Sequence, residues 1–136
     1  MWESLFSPAD MLQTGLQASW IRNGVIRNNI ANVETPGFKA SDVAFESLFA
    51  DALRNKGFVG RRTRDRHIYI GNNNDPRSVS AKTEKRRDLS MRMDENNVDI
   101  EAENVMLAQN SIKYNTMIQK LNGELSRIKL AISGGK

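Results

Sequence analysis

Cysteine is absent from these 136 residues. Disulfides, thiol nucleophiles and thiolate metal sites are excluded with it, while the redox compartment stays open. Aromatics make up only 7% and hydrophobic residues 39%, which is thin for a self-sufficient core at one domain's length. Long apolar runs are also missing, since no uncharged stretch approaches the roughly 20 residues needed to span a bilayer. The opening MWESLFSPAD has neither a basic region nor a long apolar segment, so no cleavable signal peptide is expected. Histidine occurs once, as His67 between Arg66 and Ile68, with no nucleophile-and-base constellation around it. A packing or hydrogen-bonding role is expected there, and no enzymatic activity, cofactor or metal site.

Charge is present and unevenly placed. The formal net charge is +4. From Arg54 to Arg92 there are twelve Lys or Arg against four acids, so this stretch carries +8 and the rest of the chain −4. A basic segment of this kind meets the electrostatic requirement for nucleic acid or acidic headgroups. It contains one Tyr and one Phe and no helix-turn-helix or zinc pattern, so a solvated or subunit-contacting loop is the better expectation.

The two ends of the chain are helical in pattern. Ser7 reads as an N-cap and Pro8 as a first helical residue, opening a helix to about Asn32. Apolar or small residues recur at steps of four and three: Leu5, Ala9, Leu12, Leu16, Ser19, Asn23, Ile26, Ile30, Val33. Ile21 and Val25 fall on another side. The last segment steps in the same way from Ile100 through Asn104, Leu107, Ser111, Tyr114, Ile118, Leu121, Leu125, Ile128 and Ile132. Val105, Ile112 and Leu130 make a second face. Asp99, Glu101 and Glu103 crowd the first turn, where the helix dipole favours acids and where a spacing of two spreads them too widely for a metal site. This helix would extend roughly 50 Å. Both helices thus carry apolar residues beyond a single seam, and these need partners in a bundle or on other chains. Trp2 and Trp20 are candidates for such contacts, and Met91 and Met93 read as gap fillers.

Between the ends, SDVAFESLFADALRN reads as a short helix capped by Ser41, with Phe45, Leu48, Phe49, Ala52 and Leu53 at helical spacing. Residues 56–92 read as loop, with the β-like run HIYI and a short strand pair as the one regular option. The expected fold is mainly α: N- and C-terminal heptad helices in a coiled coil or bundle, around a basic, loop-rich middle. A single domain 1–136 is expected, divided at 1–33, 34–97 and 98–136.

The most constrained stretch is NNIANVETPGFK, Asn28 to Lys39. Asn32 can end a helix in a left-handed conformation. Thr35 precedes Pro36 and is held extended. Pro36-Gly37 signals a turn in which Gly takes positive φ. The corner turns the chain off the helix and aims Phe38 toward the core, and it holds no general base, nucleophile or metal ligand.

Asn28, Asn29, Ile30, Ala31, Asn32, Thr35, Pro36, Gly37, Phe38 and Lys39 together resemble the signature of the flagellar basal-body rod and hook family. RTRDRHIYI and NNVDIEAENVMLAQNSIKYNTMIQKL are similar to further stretches of its short, proximal-rod members. One departure is DENNVDIE, where Glu95 replaces the Gly usual in a tight Asp-Gly-Asn turn. The resemblance implies a structural subunit, exported unfolded through the flagellar type III apparatus and polymerising in the periplasm into a torque-transmitting rod. It implies contacts with itself, with other rod subunits of the FlgC, FlgF and FlgG kinds, with the rod–ring adaptor FliE, and with the export gate and MS ring. FlgC, a sister proximal protein, shares the N-terminal signature and is the near alternative, and a small basic nucleic-acid-binding helical protein is the remote one. The expected assembly stripe is Leu12, Leu16, Ile26 and Ile30 with Leu107, Tyr114, Ile118, Leu121, Leu125, Ile128 and Ile132.

Overall fold

The computed structural model describes residues 2–54, 75–87, 90 and 92–134. His67, the HIYI run and Met91 lie outside the described residues. In chain order the elements are α1 (Trp2–Ala31), β1 (Ser41–Ala44), α2 (Glu46–Arg54), a 3-10 turn (Pro76–Ser78), β2 (Lys82–Lys85) and α3 (Ile100–Ile132). The architecture is the expected one: two long terminal helices pack on each other, with a short helix and a two-stranded antiparallel sheet between them.

α1 begins well before Ser7. Pro8 therefore lies inside the helix and not at its first position. Its missing N–H forfeits one bond to the carbonyl four residues back, and the helix continues through it. α3 opens as the sequence suggests. Asp99 is its N-cap, accepting from the backbone N–H of Glu101 at 3.0 Å and of Ala102 at 3.2 Å. These bonds satisfy two of the donors that a helix start leaves free.

α1 and α3 run antiparallel. The side-chain amide of Asn110 donates to the Ser19 carbonyl at 2.8 Å, and Asn29 reaches Glu103. A Cβ placed on Gly15 would stand 3.0 Å from Met117 Sδ, so the helices approach closely there and Gly is what allows it. On α1 the buried or half-buried residues follow the expected heptad, with Ala9, Ser19 and Ile26 fully buried. On α3 the phase differs in part. Leu107, Tyr114, Leu121 and Ile128 lie on the buried side as expected, and Ser111 and Ile118 are half-buried, but Asn104 is exposed and the deepest positions between them are Glu103 and Asn110. Apolar counting overlooks Glu103 and Asn110 because each is polar, yet each is buried with a partner waiting.

Ser41 does not cap a helix. It opens β1, which pairs with β2 in the register Ser41 to Lys85, Asp42 to Glu84, Val43 to Thr83 and Ala44 to Lys82. Val43 and Phe45 alternate inward and join Ala18 in a small core, with Ile21, Val25, Phe49, Val79 and Ala81 packed against it. The rings of Phe45 and Phe49 stack with centroids 5.3 Å apart. Ile21 and Val25, the second apolar face of α1, are thus covered by the chain's own strand pair and Phe45. The second face of α3 is not.

Candidate assembly interface

The corner is built as a clasp between residues 32–40 and residues 92–97. Asn32 ends α1 with negative φ, contrary to the left-handed expectation, because its N–H stays with the carbonyls of Asn28 and Asn29 at 3.2 and 3.1 Å. Its side-chain amide also donates to the Asn28 carbonyl at 2.8 Å. Thr35 and Phe38 close a four-residue turn at 3.2 Å, with Pro36 second and Gly37 third at φ +72, the pattern of a type II turn. The Gly37 N–H donates across the clasp to the Asp94 carbonyl at 2.7 Å, and Lys39 Nζ to the Glu95 carbonyl at 2.6 Å. Phe38 is half-buried.

Asn96 is the hub. It is wholly buried, and its side-chain nitrogen lies 2.9 to 3.0 Å from the carbonyl oxygens of Asn32, Val33 and Thr35. These carbonyls at the end of α1 lack helical partners, and one amide serves all three. Asn97 Oδ1 accepts from the N–H of the buried Ala40 at 2.7 Å. Glu95 retains the turn that Gly usually makes, at φ 60. Asn96 and Asn97 were not singled out in the sequence. Their signal was two Asn beside a turn, too common to read alone.

Asn29 acts as a surrogate peptide. It donates to the Ser41 carbonyl at 2.8 Å and accepts from the Ser41 N–H at 3.0 Å, tying β1 to α1. Its amide also donates to Glu103 Oε2 at 3.2 Å. Glu103 is fully buried, with Arg86 Nη1 3.0 Å from its other oxygen, and Arg86 grips Asp42 through two bonds at 2.6 and 2.7 Å. The Arg86 hydrogen bond holds the Asp42 carboxyl below its ordinary range. Glu103 is therefore an internal ion-pair partner, where the sequence suggested only an acid favoured by the dipole. Arg22 grips Glu46 through both carboxylate oxygens and donates to the Val43 carbonyl at 3.1 Å. That bond lowers the Glu46 pKa.

The remaining motif positions are structural or open. Ile30 is half-buried in the seam, and Asn28, Ala31, Thr35 and Pro36 are exposed. Of the expected stripe, Ile26 and Ile128 are buried, Leu12, Leu16, Leu107, Tyr114, Ile118 and Leu121 are half-buried, and Leu125 and Ile132 are exposed at 47% and 69%. In the basic segment, Arg77, Arg86 and Arg92 each pair with a carboxylate, so part of its charge is spent within the fold.

Part of the uncovered surface is apolar. Val105, Ile112 and Leu130 on α3 are more than half exposed, as is Trp20 on α1 at 69%. At 100° per residue, the outer arc of α3 within about 40° of Val105 holds Gln109, Ile112, Thr116, Gln119, Gly123 and Leu130, uncharged along its length between Glu101 near one end of the helix and Arg127 near the other. Lys120 and Lys113 stand at its margin. A helix face that stays in water normally carries its charges there.

Comparison with known proteins agrees with this layout. A family model described as "Flagella basal body rod protein" matches residues 10–39, which run from within α1 through the corner. A Bacillus subtilis protein named flagellar basal body rod protein FlgB is 34% identical over 134 residues, 98% of this chain and 99% of the relative. Proteins of the same name from Cereibacter sphaeroides and Aeromonas hydrophila are 35% and 31% identical, each over 83% of this chain, covering 84% and 83% of the relatives. Clasp, helix pair and relatives converge, and the chain belongs to the FlgB family of flagellar basal body rod proteins.

Proposed function

We propose that this chain is a structural subunit of the flagellar basal-body rod, joining its neighbours through α1 and α3 into the periplasmic shaft that carries torque for motility. The observation that carries the reading is the uncharged outer face of α3, with Ile112 at its centre 67% exposed. Such a face suits burial against another subunit. The clasp holds α1 and α3 at a fixed angle, which a shaft under load requires. Export through the flagellar type III apparatus, and contacts with FliE, the export gate, the MS ring and rod subunits of the FlgC, FlgF and FlgG kinds, complete the proposal. The chain acts as a single domain, with the divisions 1–33, 34–97 and 98–136. We assign it no reaction.

The test replaces the resident rod gene of a flagellated host with this one. The chain should restore swimming and appear in purified basal bodies. Ile112→Lys should be synthesised and exported yet be missing from basal bodies, with swimming lost. Normal swimming by the Ile112→Lys strain would refute the role of this face.

A further inference from the structure

Three glycines lie inside the two long helices, and only one has an internal reason. Gly15 lets α1 approach Met117. Gly24 and Gly123 are different: a Cβ on either would meet nothing within 4 Å. Glycine weakens a helix interior relative to alanine, so each costs the isolated chain something and relieves no contact in it. Both are exposed. Gly24 also floors a hollow of about 560 Å³ bounded by Trp20, Asn28, Thr83 and Tyr114.

The surroundings of the two glycines match. On α1 the exposed, uncharged residues Phe6, Gln13, Gln17, Trp20, Gly24 and Ala31 follow one another at steps of seven, four, three, four and seven. On α3 the residues Val105, Ile112, Thr116, Gln119, Gly123 and Leu130 follow at the same steps. Steps of three, four and seven keep one helix face, so each set is a continuous line, and the two lines have the same length.

We infer that these lines are the two halves of one contact between successive copies of the chain, α1 of one copy lying antiparallel along α3 of the next. The inference rests on the reading of the chain as a polymerising subunit. Its direction follows from the fold: in a polar polymer every copy points the same way, so a neighbour's α3 runs against this α1 as the chain's own α3 does. Superposing the lines in that direction brings Phe6 level with Leu130, Gln17 with Gln119 and Gly24 with Ile112. The exposed Ile112 then enters the hollow over Gly24. At the other glycine, Gly123 leaves room for the Gln13 side chain. Asp10 makes no ion pair among the described residues; it comes level with Ser126, one residue from Arg127, whose partner within the chain is Glu124 at 2.8 Å. The two different faces make the contact heterologous, the kind that can propagate as an open helical filament.

Because the chain contains no cysteine, crosslinking gives a clean test. Two single-cysteine chains are co-expressed in a host lacking its own copy, and basal bodies are purified under oxidising conditions. Phe6→Cys with Leu130→Cys should yield a disulfide-linked dimer. Phe6→Cys with Val105→Cys should yield none, since Val105 and Leu130 lie roughly 38 Å apart along α3. A crosslink only in the second pairing, or in neither, overturns the register. If neither pairing crosslinks while both chains are present in basal bodies, the rod reading stands and this contact falls. A second arm uses Gly24→Leu, which meets open space in the chain itself. The purified variant should keep its helicity and melting temperature, while incorporation into basal bodies is lost. Wild-type incorporation of Gly24→Leu would overturn the hollow as a binding site.

Discussion

Glu95 illustrates how much a single residue is asked to hold. Its φ of 60 is a backbone conformation that side-chain-bearing residues adopt at a cost of about 1–2 kcal/mol, and the clasp tolerates it because Gly37, Lys39 and Asn96 bind both sides of the turn. Glycine at this position would release the strain but widen the unfolded ensemble. Glu95→Gly should therefore stabilise the chain by about 0.5–1 kcal/mol net, seen as a Tm a few degrees higher in a thermal melt. An unchanged or lower Tm would mean that the Glu95 side chain contributes more than its backbone costs. The sequence made this residue visible as a departure from a family pattern. It did not reveal Asn96, because an asparagine that ties three carbonyls looks the same in one dimension as an asparagine in any turn. Glu103 was visible but misread, since its partner Arg86 is distant in sequence and only the β1–β2 pairing brings it near.

At the scale of elements, long helices were legible and short strands were not. α3 begins at the expected Ile100 because Asp99 caps it and apolar periodicity is sustained over many turns. β1 was read as the start of a helix, although Asp42, Val43, Ala44 and Phe45 alternate outside and inside. β2 consists of Lys82, Thr83, Glu84 and Lys85, all exposed, so no apolar pattern could announce it. It exists because β1 offers an edge and Arg86 anchors its end. The phase of α3 was read partly right, and one comparison measures it. Leu121 is half-buried in the seam, whereas Leu125 is 47% exposed. In the isolated chain Leu121→Ala should cost about 1–2 kcal/mol, less than the 2–5 typical of a fully buried leucine, and Leu125→Ala no more than about 0.5. Urea denaturation resolves the difference, and equal losses would put the seam elsewhere.

For the whole molecule, charged clasps add to a small apolar core. Asp42 is held down by its hydrogen bonds to Arg86, and Glu46 by those to Arg22. In both, the folded carboxyl titrates below the unfolded one. The stabilisation is thus fully present above the unfolded carboxylate range of about 4 and is lost as pH falls through the folded values. The denaturation midpoint should stay level from neutral pH to about 5 and drop below about 4. Arg86→Met should flatten that drop, and so should salt, because both carboxylates are more than half exposed. A midpoint that rose on acidification would contradict the clasps.

The antiparallel pairing also fixes where a probe can be informative. Trp2 and Ile132 lie toward one pole of the subunit and the corner at the other, roughly 45 Å away for helices of this length. Epitopes or fluorophores fused to the two termini therefore report the same pole, and two colours would coincide instead of marking head and tail. To show which way the subunit points, one label must be placed at the far pole, where Met93 stands fully open to solvent. A terminal tag paired with a label at Met93 would turn an image of the particle into a compass.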